Sequence, residues 1–84
     1  MELAIVDEQM PRIIIQTLKK VFKKGVVGLS YSDIEQLIGE ELSYGAKAFD
    51  HYWTQPSVKR IMTKYGIKFG YINTLNSMIY FEVL

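Results

Sequence analysis

Two apolar rhythms divide the chain. From Met10 onward, Met10, Ile13, Ile14, Leu18, Val21 and Phe22 return at three- and four-residue steps, with Arg12, Gln16, Lys19, Lys20, Lys23 and Lys24 between them. That spacing predicts an amphipathic helix. Pro11 suits its first turn, and the closing lysines followed by Gly25 complement the negative end of the dipole and offer a left-handed stop. Val26-Val27 and Gly28-Leu29 then read as a short extended link. Ser30 is a natural N-cap with Asp33 three residues later, and Leu29 is placed to staple onto Ile34, opening a second helix. Ile34, Leu37 and Ile38 form its apolar stripe, and Gly39 ends it.

A third helix is predicted from Ser43 to Trp53, with Gly45, Ala46, Phe49, Tyr52 and Trp53 on one side and Lys47, Asp50 and His51 on the other. Thr54 or Gln55 can cap a fourth, in which Pro56 takes the first position and Val58, Ile61, Met62 and Tyr65 make the apolar stripe. Lys59, Arg60, Thr63 and Lys64 share its opposite face, and Gly66 is its stop. The rhythm then changes to that of strands, Ile67 to Ile72 and Met78 to Leu84, joined by NTLNS, whose asparagines tolerate turn geometry. Before all this, Met1 to Glu8 reads equally as a short edge strand or as an arm packed on a neighbour. The expected fold class is therefore mainly α with a C-terminal β-hairpin.

Composition narrows the function. A chain of 84 residues has room for one domain, because so small a domain buries only roughly 60% of its unfolded surface. With 49% hydrophobic residues it should fold, and with a net charge of +1 it is no polycation. Any affinity for nucleic acid must come from a local patch. The absence of cysteine excludes disulfides, thiolate metal sites and a cysteine nucleophile, and leans towards a reducing compartment. No apolar run approaches the ~20 residues of a membrane span and no signal peptide is visible, so a cytoplasmic protein without a membrane partner is expected.

The order helix, extended link, helix, helix, hairpin, carried by LSYSDIEQLIG, which looks like an entry strand and second helix, and PSVKRIMTKYGIKFGYINTLNSMIYFEV, which looks like recognition helix, glycine cap and wing, resembles the winged helix-turn-helix domains over nearly the whole chain. SVKRIMTKYGI followed by a tyrosine-rich hairpin is similar, more narrowly, to winged-helix segments appended to phage and plasmid primase-helicase proteins. The resemblance implies DNA as partner, duplex before single strand, and a role in transcription control or in replication of a small genetic element. It also implies that the helix before the wing enters the major groove, where Lys and Arg meet guanine edges or phosphates and Ser and Thr reach bases or phosphate oxygens. The candidate contacts are Ser57, Lys59, Arg60, Thr63, Lys64 and Lys68, with Asn73, Thr74 and Asn76 on the wing. One departure from the pattern is the stretch Glu40 to Gln55 where a short turn is usual. Either a helix is inserted there or Ser43 to Trp53 is itself the reading helix.

From Lys47 onward, Lys47, Lys59, Arg60, Lys64 and Lys68 outnumber Asp50 and Glu82 by three. The plainer reading is a solvated basic face. Tyr71 and Tyr80 offer either base-stacking surfaces or a cross-strand pair. Lys19, Lys20, Lys23 and Lys24 are dipole-compatible surface residues as readily as phosphate ligands. Against DNA stand Asp33, Glu35, Glu40 and Glu41 around the second helix, where carboxylates would repel phosphate. These acids, the near-neutral charge and the aromatic C-terminal half suit the rival reading, a winged-helix protein-interaction module that docks on a larger complex as adaptor or inhibitor without binding DNA. A homodimer fits either reading.

No enzyme is expected. His51 is the only histidine, Gly25-Val26-Val27-Gly28 is too short for a phosphate loop, and no nucleophile elbow or dinucleotide fingerprint is present. Neither a cofactor nor a catalytic residue follows from the sequence.

Overall fold

A computed structural model describes residues 9–84, so the strand or arm expected at Met1 to Glu8 lies outside the described residues. The fold is α+β: α1 (Gln9–Val21), β1 (Gly25–Ser30), α2 (Tyr31–Ile38), α3 (Tyr44–Ala48), α4 (Asp50–Thr54), α5 (Pro56–Tyr65), β2 (Ile67–Asn73) and β3 (Met78–Val83). The strands form one antiparallel sheet in the order β1-β3-β2. Gly25 faces Val83 across the first pair, and Ile67 faces the same Val83 across the second. Among the described residues no helix is long and apolar enough to cross a membrane.

The expected link at Val26 to Leu29 is thus a third strand. Its pattern hides this because only Leu29 is buried, while Val26 lies on the open face of the sheet. This strand also corrects the end of the first helix. α1 stops at Val21, before Gly25, because Gly25 already pairs with Val83 as the first residue of β1, at φ 137°. Gly25 is not a helix cap, and Lys23 and Lys24 fall in the connection. The buried face of α1 is Pro11, Ile14, Ile15 and Leu18, whereas Ile13 and Val21 are exposed.

Two other stops match their expectation. Gly39 (φ 78°) and Gly66 (φ 70°) are left-handed caps of α2 and α5, a conformation that costs glycine nothing and other residues about 1 kcal/mol. At the start of α2, Asp33 N–H donates to Ser30 Oγ (3.0 Å) and Ser30 N–H to Asp33 Oδ2 (3.4 Å), a complete capping box. Leu29 and Ile34, the expected staple pair, are both buried in the core.

The third helix is broken. Phe49 is extended (φ −125°, ψ 119°) and divides Ser43 to Trp53 into α3 and α4. Trp53 supplies the reason: its indole Nε1 donates to the carbonyl of Ala46 at 2.9 Å. Seven residues along one continuous helix would hold those groups about 10 Å apart along the axis, so the chain must fold back to join them. Phe49, expected on the apolar face, is turned out and is 53% exposed. Trp53 is buried at the centre, parallel to Phe69 and edge-to-face with Phe81 and Tyr52. It binds α4 to the sheet.

Candidate nucleic-acid interface

α5 forms where the sequence is most explicit. Gln55 is extended, Pro56 fills the first turn where no N–H is needed, and Gly66 N–H closes back on the carbonyls of Met62 and Thr63. Val58, Ile61 and Met62 are buried, fixing the helix rotation. That rotation turns Lys59, Arg60, Thr63 and Lys64 to solvent together, around a shallow depression of about 510 Å³ that also touches Pro56. Ser57 is half-buried at the edge of this face. Lys64 Nζ lies 5.7 Å from the centre of the Tyr65 ring, an attraction worth about 0.5–1 kcal/mol at an exposed site. The Tyr65 hydroxyl in turn accepts from Gln16 Nε2 at 2.9 Å, linking α5 to α1.

Lys68 is exposed one turn of chain later, at the start of β2, opposite Glu82 in register. The remaining candidates sit at the β2–β3 turn. Asn73 is half-buried and its Oδ1 accepts from Asn76 N–H at 3.2 Å, so its side chain builds the turn. Thr74 and Asn76 project from it. Ser77 adopts φ 54°, and its carbonyl accepts from Tyr31 N–H at 2.9 Å, anchoring the turn to the start of α2.

Two of the four acids that argue against phosphate are already engaged. Glu35 Oε2 accepts from Leu42 N–H (2.8 Å) and lies 3.7 Å from Lys47 Nζ. Asp33 completes the capping box. Glu40 and Glu41 remain exposed after the end of α2. The lysines of α1 divide as well: Lys19 Nζ reaches the Leu84 carbonyl at 3.4 Å, while Lys20, Lys23 and Lys24 are exposed.

Tyr71 and Tyr80 form a cross-strand pair, stacked on each other with centroids 4.6 Å apart and planes 18° from parallel. A bulge between Phe69 and Tyr71 makes this possible, since Gly70 has no partner and Tyr71 pairs with Tyr80. The ring of Tyr80 also covers Gly28 on β1, so both its flanks are occupied; Tyr71 is 53% exposed.

The sequence reading passed over two features. Leu75, in the middle of the polar turn, is 94% exposed; an aliphatic residue among Asn, Thr and Ser was the available signal. Tyr44 and Phe49, both exposed, pair edge-to-face at 5.5 Å, beside a groove lined by Met10, Gly45, Phe49 and Tyr52. No sequence signal marked these, because the Phe49 break depends on the distant fit of Trp53. His51 is exposed, and among the described residues no three histidines or carboxylates gather to hold a metal ion.

No family model matches the chain, and neither a curated protein nor a solved structure matches it. The geometry therefore stands by itself.

Proposed function

We propose that this chain is a winged helix-turn-helix protein that binds duplex DNA, with α5 as the reading helix and the β2–β3 turn as the wing, in transcription control or replication of a small genetic element. One observation carries the reading: Lys59, Arg60, Thr63 and Lys64 are exposed on a single helix face immediately ahead of the hairpin, and no acid occurs from Lys59 to Lys68. α5 is favoured over Ser43 to Trp53 as the reading helix because the latter is two five-residue helices set apart at Phe49. The helix order together with the β1-β3-β2 sheet supports the same assignment. Pairing with Lys47 weakens the objection from charge at Glu35. The protein works by binding, without a catalytic step.

Binding to a short duplex, measured by fluorescence anisotropy across a salt series, tests this. Four cations on phosphates give a log–log slope of about −3 to −4, at roughly −0.9 per phosphate. Lys59→Ala or Lys64→Ala should each reduce it by about 0.9 if that lysine contacts phosphate, and weaken binding with altered sequence preference if it reads a base. Absence of binding at low salt refutes the proposal.

A second reading, a protein-interaction module, is favoured by the exposed Tyr44–Phe49 pair and its groove. It predicts no duplex binding even at low salt and loss of partner capture in Phe49→Ser, with a second copy of the chain detectable by sedimentation as one candidate partner.

A further inference from the structure

Between α4, α5 and β2 lies a cleft of about 270 Å³. Its inner wall is Trp53 and Phe69, whose rings are 11° from parallel, over Met62 and Ile67; Trp53, Met62 and Ile67 are buried, so the apolar surface open to the cleft is mainly that of half-buried Phe69. Its lining is otherwise cationic or hydroxylic: Lys59, Lys68, Thr54 and Thr63. No carboxylate lines it; Glu82, opposite Lys68 across the strands, lines an adjoining hollow on the open face of the sheet that shares Lys68 and Phe69 with the cleft. Such a lining suits a ligand that is flat and apolar at one end and anionic at the other. The volume lies just below the usual range of ligand pockets, about 300 Å³ and upward, which limits the ligand to one nucleotide at most. Lys59 and Thr63 also line the depression on α5, so the cleft opens beside the basic face.

We propose that this cleft binds a single nucleotide unit, its base against the Phe69 side of the aromatic wall and its phosphate between Lys59 and Lys68. The unit is either a free mononucleotide or an unpaired nucleotide carried by a DNA strand. This goes beyond recognition of paired duplex by the exposed face of α5, which uses no apolar wall.

The chain has one tryptophan, and it forms part of the cleft wall. Its fluorescence is therefore a local reporter. Titration of the full chain with adenosine monophosphate, adenosine and inorganic phosphate should give a saturable change for the mononucleotide, roughly tenfold tighter than either fragment. A strand-borne nucleotide is distinguished by a short duplex with one unpaired adenosine overhang, which should then bind roughly tenfold tighter than its blunt counterpart while the free mononucleotide is weak. Thr54→Phe fills the cleft from the end of α4 without touching the cations. It should abolish whichever preference is seen while keeping blunt-duplex affinity and Tm. The proposal is overturned if neither probe shows a preference, if phosphate alone matches the mononucleotide, or if Thr54→Phe binds as the wild type does. Blunt-duplex affinity and its salt slope report separately on α5, so failure of the cleft leaves that reading measurable.

Discussion

Two glycines contact the same tyrosine and should respond unequally to alanine. At Gly28 an added Cβ would lie 2.5 Å from Tyr80 Cε1 and 2.9 Å from Cδ1, whereas at Gly70 it would lie 2.8 Å from the backbone oxygen of Tyr80. The first obstacle is a side chain that can rotate. Its rotation forfeits the Tyr71 stack, about 0.5–1.5 kcal/mol, and alanine returns about 0.4–1 kcal/mol by restricting the unfolded chain. Gly28→Ala is therefore expected within about 1 kcal/mol of wild type. The second obstacle is the central strand itself, and relieving it means displacing the bulge from β3. Overpacking of that kind costs about 1–3 kcal/mol, on the order of 10 °C in Tm for a domain this size. Thermal melts followed in the near-ultraviolet would separate the two. Gly28→Ala should change the tyrosine signal with little loss of Tm, and Gly70→Ala should lower Tm. If Gly28→Ala is the more damaging, or Gly70→Ala melts within about 2 °C of wild type, the bulge is not the rigid element described.

Further substitutions probe the supports of the candidate interface. Ser30→Ala removes the acceptor for Asp33 N–H and should cost about 1 kcal/mol in urea unfolding, with Ser30→Asp largely retaining stability. Glu35→Ala should destabilise by about 1 kcal/mol more than Lys47→Ala, because it orphans the part-buried Leu42 N–H, whereas a half-buried ion pair as long as 3.7 Å contributes about 0.5 kcal/mol; Glu35→Gln should recover most of the difference. Trp53→Phe removes the donor to Ala46 and part of the aromatic centre, and a loss of roughly 3 kcal/mol is expected from the vacated volume and the unpaired carbonyl. A loss under about 1 kcal/mol would mean that the indole bond does not hold α3 against α4.

What could be read from residues alone was local chemistry. Ser30 with Asp33, Gly39, Pro56 and Gly66 each act through groups within a few positions, and each does what its type requires. From its own residues β1 reads only as an extended link, and as an entry strand only through the family resemblance, because GVVGLS has two glycines and one buried residue; its pairing comes from Val83 and Ile79, about fifty positions away. The Phe49 break was missed for the same reason, being set by the place of Trp53 among Phe69 and Phe81. The α5 face was legible because rotation follows from the apolar stripe. The cleft beside it was not, since it exists only where α4 and β2 meet.

The last strand among the described residues is the middle strand of the sheet. β1 and β2 do not pair with each other, so a growing chain that has reached Asn73 has made both edges and nothing to join them. β2 can then close on β3 as a local hairpin within microseconds, whereas β1 must wait for a loop of about fifty residues to close. Its docking is the step that contact order makes slow. Any nascent or truncated chain that lacks Met78–Val83 carries two unsatisfied strand edges, and in that interval its danger is association with other chains.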